Sequence, residues 1–427
     1  MTLPRILIAS FGSHGDELPF AALAAEFVRR GHRVHFFANP YFEAALASSG
    51  AQFRPVGEVA DYHRLFAQLS DAKPDQAMAR VAQELAALLA PCYEAMRAEV
   101  DPAGSVLIGS ALQFSHRLAA ETTGMPSATV HLAPAAIRST LRPARVGPHA
   151  LQELGSGTPR ALKRLAWWLM DKAFMEPHFR APLNQLRARL GLAPVRDLFN
   201  DWIHRSDALL GLFPAWFAPP PADWPAHLQL LDFPLDDPAT AAPLPQALQA
   251  FLAAGPAPVG FSAGTATATA RGFFAESAQA CVQAGLRGLL LSHFPEQVPA
   301  QLPPQLLHVP FAPYARLLPR LAALVHHGGI GTSAQALRAG LPQLVRPQAY
   351  DQFDNARRLI DLGVARELLP AHYRADRAAG ALNALLGDAA LRARCQALAP
   401  RLQGPGHAMA QACEAILARC APQPAAA

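Results

Sequence analysis

The chain has 427 residues, 51% hydrophobic and 16% charged, so it can bury a large core and global disorder is excluded. At about 150 residues per domain, the length predicts two or three domains. Lys and Arg exceed Asp and Glu by 37 to 32, and the arginines sit on predicted helix faces (Arg29, Arg30, Arg187, Arg189, Arg357, Arg358) without a dense run, which speaks against nucleic-acid binding and suits an anionic substrate or a membrane surface better.

Residues 5–10 (RILIAS) read as a buried strand, followed by the turn FGSHGD and an amphipathic helix near 18–30. This opening is a first strand and not a signal peptide. A second strand (32–38), a helix (41–49) and a third strand (52–56) follow, with further strands at 106–109 and 127–131. Short apolar strands between helices predict a parallel sheet covered on both faces. Helices at 75–99 and 160–190 are additions to that core. Residues 231–246, rich in Pro and Asp and without periodicity, are the predicted linker. The alternation then restarts: strands at 259–262, 288–291, 306–309, 323–326, 343–345 and 364–367, with helices at 271–284, 314–320, 332–339 and 352–362, then terminal helices. The 40 prolines are scattered, and no short repeat is visible, so collagen-like chains and solenoids are excluded. The five cysteines have no CxxC pair and read as free thiols in a reducing compartment. No apolar run approaches the roughly 20 residues that span a bilayer. The expected location is cytoplasmic, either free or peripheral at the inner face of the membrane.

Four segments could carry chemistry. In VHHGGIGTS (325–333) a strand runs into glycines and a helix begins at the Thr/Ser pair. Exposed N–H groups and the positive helix end make an anion site, to which His326 and His327 add hydrogen bonds or charge. The alternative is an ordinary capped turn. In PQAYDQFDN (347–355), Asp351 and Gln352 have the donors and acceptors that sugar hydroxyls need, or Asp351 simply caps a helix. FSAGT (261–265) offers a second phosphate contact or a plain turn. GSHGD (12–16) lacks the spacing of a dinucleotide site or a P-loop, which argues against dehydrogenases and kinases. It leaves Asp16, with His14 two positions earlier, as an N-cap or as a proton acceptor for an alcohol.

Together these segments resemble the GT-B glycosyltransferases of the nucleotide-sugar-dependent small-molecule family (family 1). HHGGIGTSAQALRAGLPQLVRPQAYDQFDN is similar to their donor signature, and FGSHGDELPF to the opening of the bacterial and sterol/lipid branches. Within the family, LFPAWFAPPPADWP (212–225) and YDQFDNARRL (350–359) look like segments of the chain-B-type rhamnosyltransferases of rhamnolipid biosynthesis. The resemblance implies an α/β fold of two Rossmann-like domains facing a central cleft: an acceptor domain over 1–230, the linker 231–246, a donor domain over 247–405, and a helix and tail over 406–427 packing back toward the first domain. It implies Asp16 as catalytic base. It assigns Thr265, His326, His327, Gly329, Gly331, Thr332 and Ser333 to the donor diphosphate, Phe311 and Ala312 to the nucleobase, and Asp351 and Gln352 to the sugar. Which imidazole meets the phosphate stays open, and Tyr314 stands where plant members carry Gln.

The implied reaction is inverting transfer of L-rhamnose from dTDP-L-rhamnose to a hydroxyl of a 3-(3-hydroxyalkanoyloxy)alkanoate, with no metal and no cofactor beyond the donor. The implied partners are the nucleotide sugar and an amphiphilic hydroxy-fatty-acid acceptor, either free or supplied by a partner subunit, with no nucleic acid. A UDP-sugar glucosyltransferase acting on a sterol, polyketide or other lipid keeps every motif. A non-catalytic nucleotide-sugar-binding activator is the alternative of a different class. Between 159 and 189, Leu165, Trp168, Leu169 and Lys172 share a helix face, with Trp167, Met170 and Phe174 around it. Such a helix is core, or docks on a membrane, or lines a greasy acceptor groove leading from Asp16. The last is the expectation, with His14, Trp167 and Trp168 in the acceptor pocket.

Overall fold

The computed structural model describes residues 3–70, 74–145, 147–148, 157–236, 242–264 and 270–420. It divides into two compact units: Met1–Ala144 with Leu151–Pro234 and Gly406–Ala427, and Arg145–Ala150 with Leu235–Pro405. The fold is α/β, with one parallel, Rossmann-like sheet in each unit.

In the first unit the strands are β1 (Arg5–Ala9), β2 (Val34–Ala38), β3 (Gln52–Pro55), β4 (Ser105–Ser110), β5 (Ser127–His131), β6 (Ala208–Gly211) and β7 (Leu228–Leu230). Their order is β3-β2-β1-β4-β5-β6-β7, and every pair is parallel. β1, β2, β4 and β5 are buried almost throughout; β1, β2 and β4 accordingly hold short apolar runs, whereas β5 alternates Ala128 and Val130 with the equally buried Ser127, Thr129 and His131. One face packs on the helix His14–Arg29 through Phe20, Leu23 and Phe27, and on the terminal helix His407–Cys420 through Met409, Cys413 and Ile416. The other face carries the helix Pro74–Ala98 and the end of the 160–190 insertion through Leu89, Tyr93, Phe179 and Leu183.

The second sheet holds β8 (Val259–Ser262), β9 (Gly288–Leu291), β10 (Leu306–Val309), β11 (Ala323–His326), β12 (Gln343–Val345) and β13 (Ala365–Glu367), in the order β10-β9-β8-β11-β12-β13, also all parallel. In each sheet the strand order reverses once, between β1 and β4 and between β8 and β11. Open parallel sheets bind ligands outside the carboxyl ends of the strands at that reversal. The loops after β1, β8 and β11 are the segments that carry the candidate motifs.

Some elements differ from the sequence expectation. The first helix begins at His14 and not near 18, because Ser13 caps it. Strands β6 and β7 and the helices Val59–Ser70 and Ser115–Thr123 were not expected from the sequence. β6 and β7 have only 4 and 3 residues, too few for a period to show, and the second of these helices buries the polar Ser115, His116 and Arg117 together with Leu118, Ala119 and Ala120, so its sequence shows no clean apolar stripe. Helix 160–190 is three pieces, α-helical Arg160–Met170, π-helical Asp171–Arg180 around Pro177, and α-helical Ala181–Arg189. Inside 231–246, read from the sequence as a linker, Leu231, Phe233, Leu235 and Leu244 are all buried. Arg145 belongs to the second unit, where its buried guanidinium pairs bidentately with Glu367 at 2.6 and 3.0 Å.

Candidate active site

In the first unit, β1 delivers the chain into a turn whose geometry is set by Asp16. Ser13 is the N-cap of the helix His14–Arg29, and the Asp16 carboxylate folds back over it. Its Oδ2 accepts from the Ser13 backbone N–H at 2.7 Å and from the Ser13 hydroxyl at 3.0 Å, while Ser13 Oγ accepts from Gly15 N–H at 3.2 Å. This is a capping box, with Asp in the place usually taken by Glu. Gly12 has φ 149°, and a Cβ there would collide with that carboxylate, so the close approach requires glycine. Asp16 is therefore not the N-cap. It is a half-buried carboxylate with one oxygen fixed by the box and the other not needed for it. Burial raises its pKa above the ordinary aspartate value, and the two Ser13 bonds pull the other way.

Behind it lies Glu17, a residue the sequence reading passed over. It is fully buried, accepts from the Ser10 hydroxyl, and borders a cavity of about 30 Å³ with Phe11, Phe42 and Tyr62, enough for one or two waters. Burial, reinforced by the Asp16 charge and opposed by the Ser10 bond, pushes its pKa up to about 8. The available signal was a second carboxylate directly after Asp16, on a turn that points back to the sheet. His14 lies edge-on to Tyr41 and Phe42 at 5.6 and 5.1 Å, and Tyr41 stacks on Tyr62 at 3.9 Å, so an aromatic cluster flanks the helix start.

Trp167 and Trp168 line a separate groove of about 740 Å³ in the same unit, together with Arg138, Arg164, His204 and Asp223. The Arg138 guanidinium lies 5.0 Å over the Trp167 ring and pairs with Asp171 at 2.6 Å. This groove mixes charged side chains with apolar ones such as Met175, Leu198, Phe199 and Trp224, and neither His14 nor Asp16 lines it. The tryptophans and His14, expected in one acceptor pocket, are thus not brought together in this groove. The core alternative also fails, since Trp168 is 53% exposed.

In the second unit, the chain leaves β11 through two histidines with different jobs. His326 is wholly buried. Its Nδ1 accepts from Gly328 N–H at 3.1 Å and its Nε2–H donates to Gln343 Oε1 at 2.9 Å. Burial drives its pKa down to about 3. With both nitrogens spent, His326 holds the turn and does not meet a phosphate, which corrects that expectation. His327 is half-buried between Gly264 (φ 90°) and Gly329, where added Cβ atoms would lie 2.8 and 2.5 Å from its ring. Among the described residues its Nδ1 has no hydrogen-bond partner, and burial lowers its pKa to about 4, so the ring is neutral at pH 7.

The helix that follows is Ile330–Arg338, two residues earlier than expected. Its N-cap is Gly329, and no side chain caps it. The amides of the first turn, at Ile330, Gly331 and Thr332, thus point out of an uncapped helix end, as anion recognition requires. Gly331 is exposed and Thr332 half-buried at that end. Ser333 is instead fully buried, and its hydroxyl donates to Gly329 O at 2.9 Å, so it too is removed from the expected diphosphate contacts. Thr265 lies outside the described residues.

The loop after β12 is tied to this turn by Asn355, which sequence reasoning quoted in a motif but did not single out. Its Nδ2 donates to Gly328 O at 2.9 Å and to Asp351 Oδ2 at 2.7 Å. Asp351 begins the helix Gln352–Asp361 without capping it through its side chain. Gln352 Oε1 accepts from the amides of Gln348 and Ala349 at 2.9 and 3.2 Å, which leaves its NH2 outside that contact. Tyr350, between Ala349 and Asp351, adopts φ 56°, a conformation that costs a non-glycine residue about 1–3 kcal/mol and concentrates at functional loops. Phe311 is 47% exposed and stacks on His293 at 5.7 Å, a partner the sequence did not reveal, while Ala312 beside it is buried. Tyr314 donates its hydroxyl to Ser262 at the end of β8.

The second unit sets an uncapped helix end and the His327 ring at its sheet reversal, with a carboxylate–amide pair on the neighbouring loop after β12, and the first presents a fixed carboxylate at its own reversal. Residues 6–141 match the glycosyltransferase family 28 N-terminal domain, and residues 291–415 match the C-terminal domain of erythromycin biosynthesis protein CIII-like chains. The chain is 30% identical over 410 residues to an O-mycaminosyltylonolide 6-deoxyallosyltransferase of Streptomyces fradiae, covering 92% of both chains. It belongs to the GT-B nucleotide-sugar glycosyltransferases. Among solved structures, the glycosyltransferase of kitacinnamycin superposes with a TM-score of 0.73 at 23% identity, over 98% of this chain and all of that one. A spinosyn rhamnosyltransferase complexed with thymidine diphosphate superposes at 0.64 with 19% identity, over 96% and 99%. Among the described residues of this glycosyltransferase, no helix is long and apolar enough to cross a membrane.

Proposed function

We propose that this glycosyltransferase transfers L-rhamnose from dTDP-L-rhamnose, with inversion, to the hydroxyl of a 3-(3-hydroxyalkanoyloxy)alkanoate. The observation that carries the mechanism is the Asp16 carboxylate, anchored through one oxygen by Ser13 at the carboxyl end of β1. Its other oxygen takes the proton of the acceptor hydroxyl as that oxygen attacks the anomeric carbon. The bond from the anomeric carbon to the diphosphate oxygen breaks, and dTDP leaves with the electron pair. A carboxylate whose pKa burial has raised is a stronger base than an exposed one. The charge arriving on the diphosphate is met by the amides at Ile330–Thr332 and by the neutral His327 ring, donors already in place before reaction. Asp351 and Gln352 hold the sugar, and Phe311 stacks on the base.

The choice of donor is supported by the names of similar proteins, one moving a 6-deoxyallosyl group and one a rhamnosyltransferase holding thymidine diphosphate. The choice of acceptor rests on the segments at 212–225 and 350–359. The test is a thermal-shift series with dTDP, UDP and GDP, followed by mass spectrometry of the products from dTDP-L-rhamnose and a hydroxyalkanoyl-alkanoate. The expected result is strongest stabilisation by dTDP and an acceptor gaining one deoxyhexosyl unit. A larger shift with UDP and a product only from UDP-glucose would replace this proposal with the glucosyl one. Donor binding without any transfer would make the chain an activator subunit.

A further inference from the structure

The helix Arg160–Met170 is amphipathic, yet it is mounted with its apolar side outward. Leu162, Leu165, Trp168 and Leu169 lie on one face at helical spacing and are exposed by 47, 49, 53 and 53%. Lys163, on the opposite side, is the buried residue. Four of the large exposed hydrophobics of the described chain thus fall within eight consecutive residues. Single exposed leucines need no explanation, but a contiguous apolar patch on a surface helix marks an interaction site. The flanks say what kind. Arg160 and Arg164 are exposed beside the patch, and Lys172, 47% exposed, follows on the next turn with Glu176 at 2.9 Å. Residues 160–172 hold four basic residues and one acidic, and three of the four, Arg160, Arg164 and Lys172, are exposed.

We propose that this face docks on an anionic lipid bilayer. Leucines and a tryptophan on one side with Arg and Lys at the margins are what an interfacial helix uses. The apolar side chains enter the headgroup–acyl boundary and the cations meet lipid phosphates. A protein partner would have to be both apolar and acidic, whereas an anionic bilayer supplies both over any area. The inference does not depend on which sugar or acceptor the enzyme uses.

The test is co-sedimentation of the full chain with vesicles of phosphatidylcholine alone and of phosphatidylcholine with phosphatidylglycerol. The expected result is binding to the anionic vesicles, weakened several-fold at high salt and lost by about tenfold or more in Leu165→Ser/Leu169→Ser. Neither leucine lines the groove with Trp167, so the variant should keep the thermal transition and the response to dTDP of the unaltered chain. Absence of binding to anionic vesicles, or equal binding by the variant, would overturn the proposal. So would a concentration-dependent dimer, with no vesicle binding, that the same substitutions disperse; that result would give the face to a second copy of the chain.

Discussion

Asn355→Ala removes a side chain that bonds the glycine turn and the sugar loop at once. One bond, to Gly328 O at 2.9 Å, joins neutral groups and contributes about 1 kcal/mol. The other, to Asp351 Oδ2 at 2.7 Å, has a charged acceptor and contributes about 1.5–3 kcal/mol. Asn355 is fully buried, so water does not simply replace the amide, and the expected loss is about 2.5–4 kcal/mol. At about 2–4 °C per kcal/mol for a unit of this size, that lowers the thermal transition by roughly 5–15 °C. The same change frees the Asp351 loop from the glycine turn at Gly328, and nucleotide-sugar affinity should fall about tenfold. Asn355→Asp should be worse than alanine at pH 7 and recover partly in acid, because it sets a second carboxylate against Asp351. Differential scanning fluorimetry and isothermal titration read both effects. A shift below about 2 °C with unchanged donor affinity would refute the tie between the two loops.

Glu17 makes stability depend on pH with a definite sign. Its folded pKa of about 8 lies above the ordinary value of 4.5, so the folded chain keeps a proton that the unfolded chain releases. Stability is full below that ordinary value and is lost as pH rises toward and through about 8. Urea unfolding at pH 6 and pH 9 should show a fall in midpoint that Glu17→Gln reduces; identical falls in both proteins would contradict the assignment. The two histidines should separate in the same assays. His326→Ala should cost stability, about 2–4 kcal/mol, by orphaning Gln343 Oε1 and Gly328 N–H. His327→Ala should chiefly weaken diphosphate binding, about five- to tenfold for one neutral hydrogen bond. The reverse pattern would exchange their roles.

The parallel sheets were legible because β1, β2, β4 and β11 are buried on both faces and so carry short apolar runs, such as Ile6–Ala9, Val106–Ile108 and Ala323–Val325. β6 and β7 were not, since strands of 4 and 3 residues carry no period. At the site, the glycine turn and the Asp351–Gln352 pair stand out as composition, and Asp16 as a carboxylate at a helix start. What composition could not give is allegiance. His326 and His327 are the same residue type at adjacent positions, and only the strand's pleat decides that one enters the core to meet Gln343 while the other faces Gly264. Ser333 looked like a phosphate ligand until the helix start at Ile330 moved its hydroxyl onto Gly329 O. Asn355 and Glu17 act through partners distant in sequence or across a turn, Gly328 and Ser10, which no local pattern announces. The outward apolar face of Arg160–Met170 had the periodicity of a core helix, and only exposure tells the two apart.

Asp16→Asn is the most direct test of the base. The amide oxygen can still accept from Ser13, so the capping box and the fold are kept while the proton acceptor is lost. Steady-state turnover with dTDP-L-rhamnose and a hydroxyalkanoyl-alkanoate, beside dTDP affinity by titration, separates chemistry from binding. The account predicts kcat lower by about 10²–10⁴ with donor affinity within about twofold of the unaltered enzyme. Turnover by Asp16→Asn at the unaltered rate would contradict it.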